Sequence, residues 1–243
     1  NGHGLAEYEH ALREGRSGIR FIPQLKELGF ACQVGGVPQG FEELRTKYFD
    51  AEDLLSVNDN IGYACIAAID AWRDAGFAVP KPDSSEVDWD TGAIMGSGIG
   101  GMETIAGQVV PKVNEHQIRR MGSTIVQMVM NSSTSAKIAG TLALGNQVTS
   151  NSSACSTGNE AIIDAMLRIR GGLARRMIAG GSEGSSPYIW AGFDSMRVMC
   201  RKFNDAPERA SRPMSATAAG FVPGSGAGAL VLEDLKKKKK RGA

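Results

Sequence analysis

Apolar residues recur at helical spacing near the start of the chain, where Leu5, Tyr8, Ala11 and Leu12 predict an amphipathic helix over residues 5–14. It follows the turn-like Asn1-Gly2-His3-Gly4. A stronger stripe of Ile61, Cys65, Ala68, Ile69 and Trp72 predicts a helix over residues 58–75 that stops at Gly76 and makes Cys65 part of a core. After a polar, Pro-containing loop over 80–88 the pattern changes. Short apolar runs bounded by glycine predict a strand over 91–95 that opens into GSGIGG at 96–101, and a helix over 135–144. A strand over 146–150 then leads through ACSTG into a helix over 159–170. A third strand, 176–179, precedes what reads as the turn GGSEG, and a final buried strand covers 227–233. Helices alternating with buried strands at glycine turns predict an α/β layered sheet. No repeat or low-complexity linker divides these elements, so the pattern reads as one domain.

Composition narrows the class. The 243 residues are 42% hydrophobic and 22% charged, which suits a folded chain and neither a disordered nor a membrane protein. A net charge of +1 gives no global field for nucleic acid, so a charged partner must be met locally. Four widely spaced Cys and three His form no pattern with metal-ligand spacing, so no metal site is expected. No apolar run reaches the ~18 residues of a membrane span and no signal-peptide pattern opens the chain, which predicts a cytoplasmic location and free thiols. The five lysines at 236–240 read as a solvated face and receive no function.

Two motifs could carry chemistry. GSGIGG has the GxGxxG spacing of a dinucleotide loop, but an acid ~20 residues on, at a strand end, is missing: Glu115 sits in the polar run VNEHQIRR. Glycines that let a strand and a helix approach closely explain the motif better, and leave a nucleotide-binding oxidoreductase as a minor alternative. Cys155 is the stronger candidate. Small neighbours and a sharp strand-to-helix turn would expose its thiol, and the positive end of a helix dipole favours the thiolate. Cys32, Cys65 and Cys200 are expected to be inert core. His3, His10 and His116 are expected on the surface.

The segments NSSACSTGNEA around Cys155, AGGSEG at 179–184, NDAPERASRP at 204–213 and GFVPGSGAGALVLED at 220–234 together resemble the β-ketoacyl-(acyl carrier protein) synthases of the KAS I/II type. GSGIGG and STIVQMV are similar to that family as well, and the motifs stand in the family's order. The Asn-Asp-x-Pro-Glu-x-Ala-Ser-Arg-Pro stretch separates this class from thiolases and from the KAS III branch. The resemblance implies a thiolase-like fold, layered α-β-α-β-α from two duplicated halves, usually as a homodimer. Residues 1–243 correspond to its N-terminal domain, without the family's first strand and its C-terminal half. Two His, a Lys and a Phe-containing loop of the family belong to that other half.

On the matching positions, the resemblance makes Cys155 the acyl acceptor in a decarboxylative Claisen condensation with malonyl carrier protein, and implies no cofactor. Ile99 and Phe193 match positions that line the acyl pocket. Arg197 matches a docking position for acidic acyl carrier protein, with Arg201, Arg119, Arg120 and Lys202 as further docking candidates. The strand at 146–150 is a candidate interface with a second copy or a related subunit. Small, neutral residues at 215–219 replace the charged run that often precedes GFV, and leave open a specialised polyene or polyketide pathway beside fatty-acid elongation. Cys155 itself argues against the non-acylating chain-length-factor subunit. The other class of reading is a non-catalytic fragment or partner subunit of a ketosynthase.

Overall fold

The computed structural model describes residues 2–81 and 84–235. The lysine run at 236–240 lies outside them. In chain order the main elements are α1 (Gly4–Arg13), β1 (Arg20–Phe21), β2 (Val34–Gly35), α2 (Asp59–Asp74), β3 (Thr91–Gly96), α3 (Ser133–Thr141), β4 (Val148–Thr149), α4 (Thr157–Arg170), β5 (Arg176–Glu183), α5 (Pro187–Ser195) and β6 (Gly226–Glu233). They group into two compact units, Asn1–Glu43 with Ser185–Ser225, and Leu44–Gly184 with Gly226–Ala243.

The first unit centres on buried Leu25, Cys32, Val34, Trp190, Met199 and Cys200. β1 pairs antiparallel with β2. The Asp194 carboxylate, on α5, accepts from the N–H groups of Ala31 and Cys32 at 2.9 and 3.0 Å, and so joins two segments more than 160 residues apart. The stripe expected to bury α1 stays largely in solvent: Leu5, Tyr8 and Leu12 are 68%, 50% and 58% exposed, and Ala11 alone is buried. Periodicity marks a face fit for burial, but a packing partner must exist to bury it.

The second unit holds a four-stranded sheet in the order β4-β3-β5-β6. The first three strands run parallel and β6 is antiparallel to β5. Strand alternation divides its side chains between two helical layers. Ile94, Met177 and Ala179 pack with Ala161 and Ala165 of α4, and α2 and α3 lie against the sheet as well. α2 is the helix expected from the stripe. Asn58 caps it by accepting from the Ile61 N–H at 3.1 Å, Gly76 follows at φ +82°, and the Cys65 thiol is fully buried.

Three strand expectations are corrected. GGSEG is no turn, because β5 continues through Glu183. Its glycines belong in the sheet, since a Cβ on Gly180 would overlap the Gly228 carbonyl oxygen on β6. β6 is not a buried strand: it closes the sheet's edge, with Leu230 50% exposed. β4 shrinks to two residues, supported by the buried Ser135 hydroxyl, which accepts from the Met95 N–H at 2.8 Å and faces the Thr149 carbonyl at 2.7 Å.

Candidate active site at the Cys155 turn

β3, β4 and β5 all end on the same side of the sheet, and the turn carrying Cys155 runs from that end into α4. Carboxyl ends of parallel strands are where α/β proteins gather their reactive groups. Ala154 has φ +52°, a left-handed conformation that costs a residue with a side chain of order 1 kcal/mol or more and persists only where neighbours enforce it.

The enforcing neighbour is Thr157, the first residue of α4. Its buried hydroxyl accepts from the Ser153 N–H at 2.8 Å and donates to the Ala154 carbonyl at 2.7 Å, bracketing the strained residue. Asn151 Nδ2 donates to the Thr157 carbonyl at 2.8 Å and secures the other strand of the turn. Cys155 is thereby held exposed just before a fourteen-residue helix. The remaining cysteines, Cys32, Cys65 and Cys200, are buried. Burial pushes the Cys65 thiol up to about 12 and raises that of Cys32 as well.

Beside this turn lies the GSGIGG loop. The Ser152 hydroxyl donates to the Gly98 carbonyl at 3.0 Å, tying it directly to the cysteine segment. Ser97 accepts from Asn60 Nδ2 at 3.1 Å and from the Gly100 N–H at 3.2 Å. The Glu183 carboxylate accepts from the N–H of Gly98, and burial raises its pKa. A nucleotide phosphate would need the N–H groups of this loop and would meet a carboxylate there, so the arrangement opposes the dinucleotide reading.

Ile99, on this loop, is 39% exposed. Phe193 belongs to the other unit, on α5, where it stacks edge-to-face on Phe221 with centroids 5.4 Å apart. Arg197 and Arg201 are exposed in that same unit, and Arg197 is left-handed at φ +61°. Arg119 and Arg120 are exposed in the second unit, where they line an open hollow of about 480 Å³ with His116, Gln117 and Ile118. His3, His10 and His116 are all exposed. Sequence reading found Cys155 but missed Thr157 and Glu183. An acid ending a glycine-rich run behind an apolar strand was the available signal for Glu183.

Residues 1–238 match the family described as Beta-ketoacyl synthase, N-terminal domain. Over its whole length the chain is 31% identical to 3-oxoacyl-[acyl-carrier-protein] synthase 2 of Synechocystis sp., covering 56% of that protein. It is 32% identical to the chloroplastic 3-oxoacyl-[acyl-carrier-protein] synthase I of Arabidopsis thaliana, again over 100% of this chain and 50% of that one. The chain therefore spans about half the length of these curated relatives. The crystal structure of a beta-ketoacyl synthase from Burkholderia phymatum superimposes with a TM-score of 0.84 at 28% identity, over 98% of this chain and 57% of that one.

Proposed function

The chain belongs to the β-ketoacyl synthase family, and from that premise we propose that it carries the acyl-accepting half of a 3-oxoacyl-(acyl carrier protein) synthase. The observation that carries this reading is Cys155, an exposed thiol on a strained turn ahead of a helix, at the family's nucleophile position. The Cys155 thiolate attacks the thioester carbonyl of acyl carrier protein. The carrier's sulfur leaves as thiolate, and the acyl group remains on Sγ as a new thioester. Malonyl carrier protein then loses carbon dioxide, and its carbanion attacks that thioester carbonyl. The new carbon–carbon bond forms as Cys155 departs as thiolate, and the product is a 3-oxoacyl carrier protein. The backbone N–H of Cys155, just ahead of the helix, suits the oxyanion of each tetrahedral intermediate as one donor. The residues that drive decarboxylation are assigned to the family's other half, outside residues 1–243.

Ile99 and Phe193 are assigned as apolar walls of the acyl pocket. β4, an edge strand with Val148 38% exposed, is assigned as the contact with a second copy or a related subunit. No described helix is long and apolar enough to cross a membrane.

Intact mass tests the reading: incubation with carrier protein loaded with a medium acyl chain adds one acyl mass, and a protein that gains none is not an acyl acceptor. Two further results are expected. Thr157→Val, nearly isosteric, removes both hydrogen bonds that bracket Ala154 and slows acylation about tenfold, as loss of roughly 1.5 kcal/mol of turn positioning implies; unchanged acylation means the turn holds itself. Arg197→Glu puts like charge against an acidic carrier and weakens carrier binding at low salt about tenfold, with the difference shrinking at high salt. Equal affinities at low salt would remove Arg197 from the docking surface.

A further inference from the structure

Glu183 is a carboxylate with an unusual set of partners. It ends β5, half-buried, beside the end of β3, where Gly181 and Gly96 stand in register. No cation among the described residues pairs with it. Its hydrogen-bond donor there is the N–H of Gly98. A half-buried charge without a counter-ion is costly, and a charge-assisted peptide hydrogen bond offsets that cost only while the loop keeps its shape.

Gly98 is held on both sides. Its N–H donates to Glu183, and its C=O accepts from the Ser152 hydroxyl at 3.0 Å. Fixing the peptide planes on both sides of one residue fixes its backbone angles. Those angles set the direction in which the next side chain, Ile99, leaves the backbone. Ser152 stands three residues before Cys155, so the same clamp references Ile99 to the thiol. Gly98 suits the arrangement, since a Cβ there would come within 2.9 Å of Glu183 Oε1.

We propose that Glu183 is a positioning residue for acyl-chain selection: with Ser152 it clamps Gly98 on both sides, aims Ile99, and so sets how long an acyl chain reaches Cys155. The proposal rests on the assignment of Ile99 as a wall of the acyl pocket. Glu183 touches no reacting atom, so its removal alters discrimination between chains more than the rate with the preferred chain.

The test is a competition between a short-chain and a long-chain acyl carrier protein for Cys155, read by intact mass on the full-length protein. Ile99→Ala, Glu183→Ala, Glu183→Gln and the Ile99→Ala/Glu183→Ala pair are compared with wild type. Ile99→Ala shifts preference toward the long chain. Glu183→Ala shifts the ratio of kcat/KM values the same way by about tenfold, through KM, since hydrogen bonds to a charged group are each worth roughly 1.5–3 kcal/mol. Glu183→Gln keeps one acceptor oxygen in the same shape and shifts the ratio less, about threefold. The double variant adds nothing to Ile99→Ala, because Glu183 acts through Ile99.

If Ile99→Ala shifts the ratio and Glu183→Ala only lowers the overall rate, Glu183 is merely structural and the proposal is overturned. If Ile99→Ala leaves the ratio unchanged, the pocket assignment falls and the proposal falls with it. Should Glu183→Ala fail to fold, Glu183→Gln decides alone, and a wild-type ratio overturns the proposal.

Discussion

Cys155→Ala eliminates the acyl adduct and lowers condensation by at least roughly a thousandfold, because no other group can accept the acyl chain and covalent catalysis ends with the nucleophile. The structure makes the experiment selective. Cys155 is exposed, whereas Cys32, Cys65 and Cys200 are 0% exposed. A thiol held at about 12, as in Cys65, is essentially never thiolate at neutral pH. Brief alkylation with iodoacetamide therefore adds one label per chain, lost in Cys155→Ala, and prior acylation protects against it. The Cys155→Ala protein keeps its fold, since the side chain lies at the surface and the turn is held by Thr157, Ser153 and Asn151. Circular dichroism and Tm equal to wild type check this. An acyl adduct that survives the substitution, or a label on another cysteine, would overturn the assignment of the nucleophile.

Gly101→Ala is the substitution expected to harm stability most. The backbone there is at φ −82°, which alanine adopts freely, so the effect is one of space and not of strain. A Cβ would overlap the Met128 carbonyl oxygen and stand 2.8 Å from Val129 Cα, both backbone atoms that no rotamer change can move. The Met128 carbonyl is already engaged, accepting from Asn58 Nδ2 at 2.7 Å, and Asn58 caps α2. Displacing it thus combines overpacking, about 1–3 kcal/mol, with a weakened cap worth about 1 kcal/mol. Together these give about 3 kcal/mol, or a Tm lower by roughly 10 °C for a chain of this size. Gly140→Ala is the control. Gly140 is exposed inside α3 with open space at its Cβ position, and alanine there stabilises by about 0.5–1 kcal/mol. A Gly101→Ala protein as stable as wild type would mean that the 125–129 segment yields more easily than its hydrogen bonds imply.

Both predictions combine features visible in the chain with features visible only in the fold. The α2 stripe from Ile61 to Trp72, its Gly76 stop, the strand beginning at Thr91 and the strand-to-helix turn at Cys155 were legible because each is a local signal. Hydrophobic period, glycine punctuation and small residues around a thiol act within a few neighbours along the chain. Family motifs extended that reading to a candidate nucleophile and to the layered fold.

Other features were not local. GGSEG carries every sign of a turn, yet Gly180 to Glu183 continue β5, because the residues that make glycine fit there belong to β6, nearly fifty positions later. The α1 stripe has the right period but little against which to pack. Residues 185–225 return to the unit that holds the first forty-three, a grouping no composition shift announces.

The sequence alone thus singled out Cys155 Sγ as the candidate nucleophile and determined the class of fold that presents it. The tertiary structure decided what holds that atom and what stands beside it. Thr157 restrains Ala154 through hydrogen bonds only three and four positions along the chain, which exist once the turn enters α4 with Ala154 left-handed. Glu183 reaches the Gly98 N–H because parallel register places the ends of β3 and β5 together, although the two residues stand 85 positions apart in the chain. Nucleophile chemistry resides in one side chain and its immediate neighbours. Positioning depends on distances across the sheet, which the order of residues does not encode until the strands have paired.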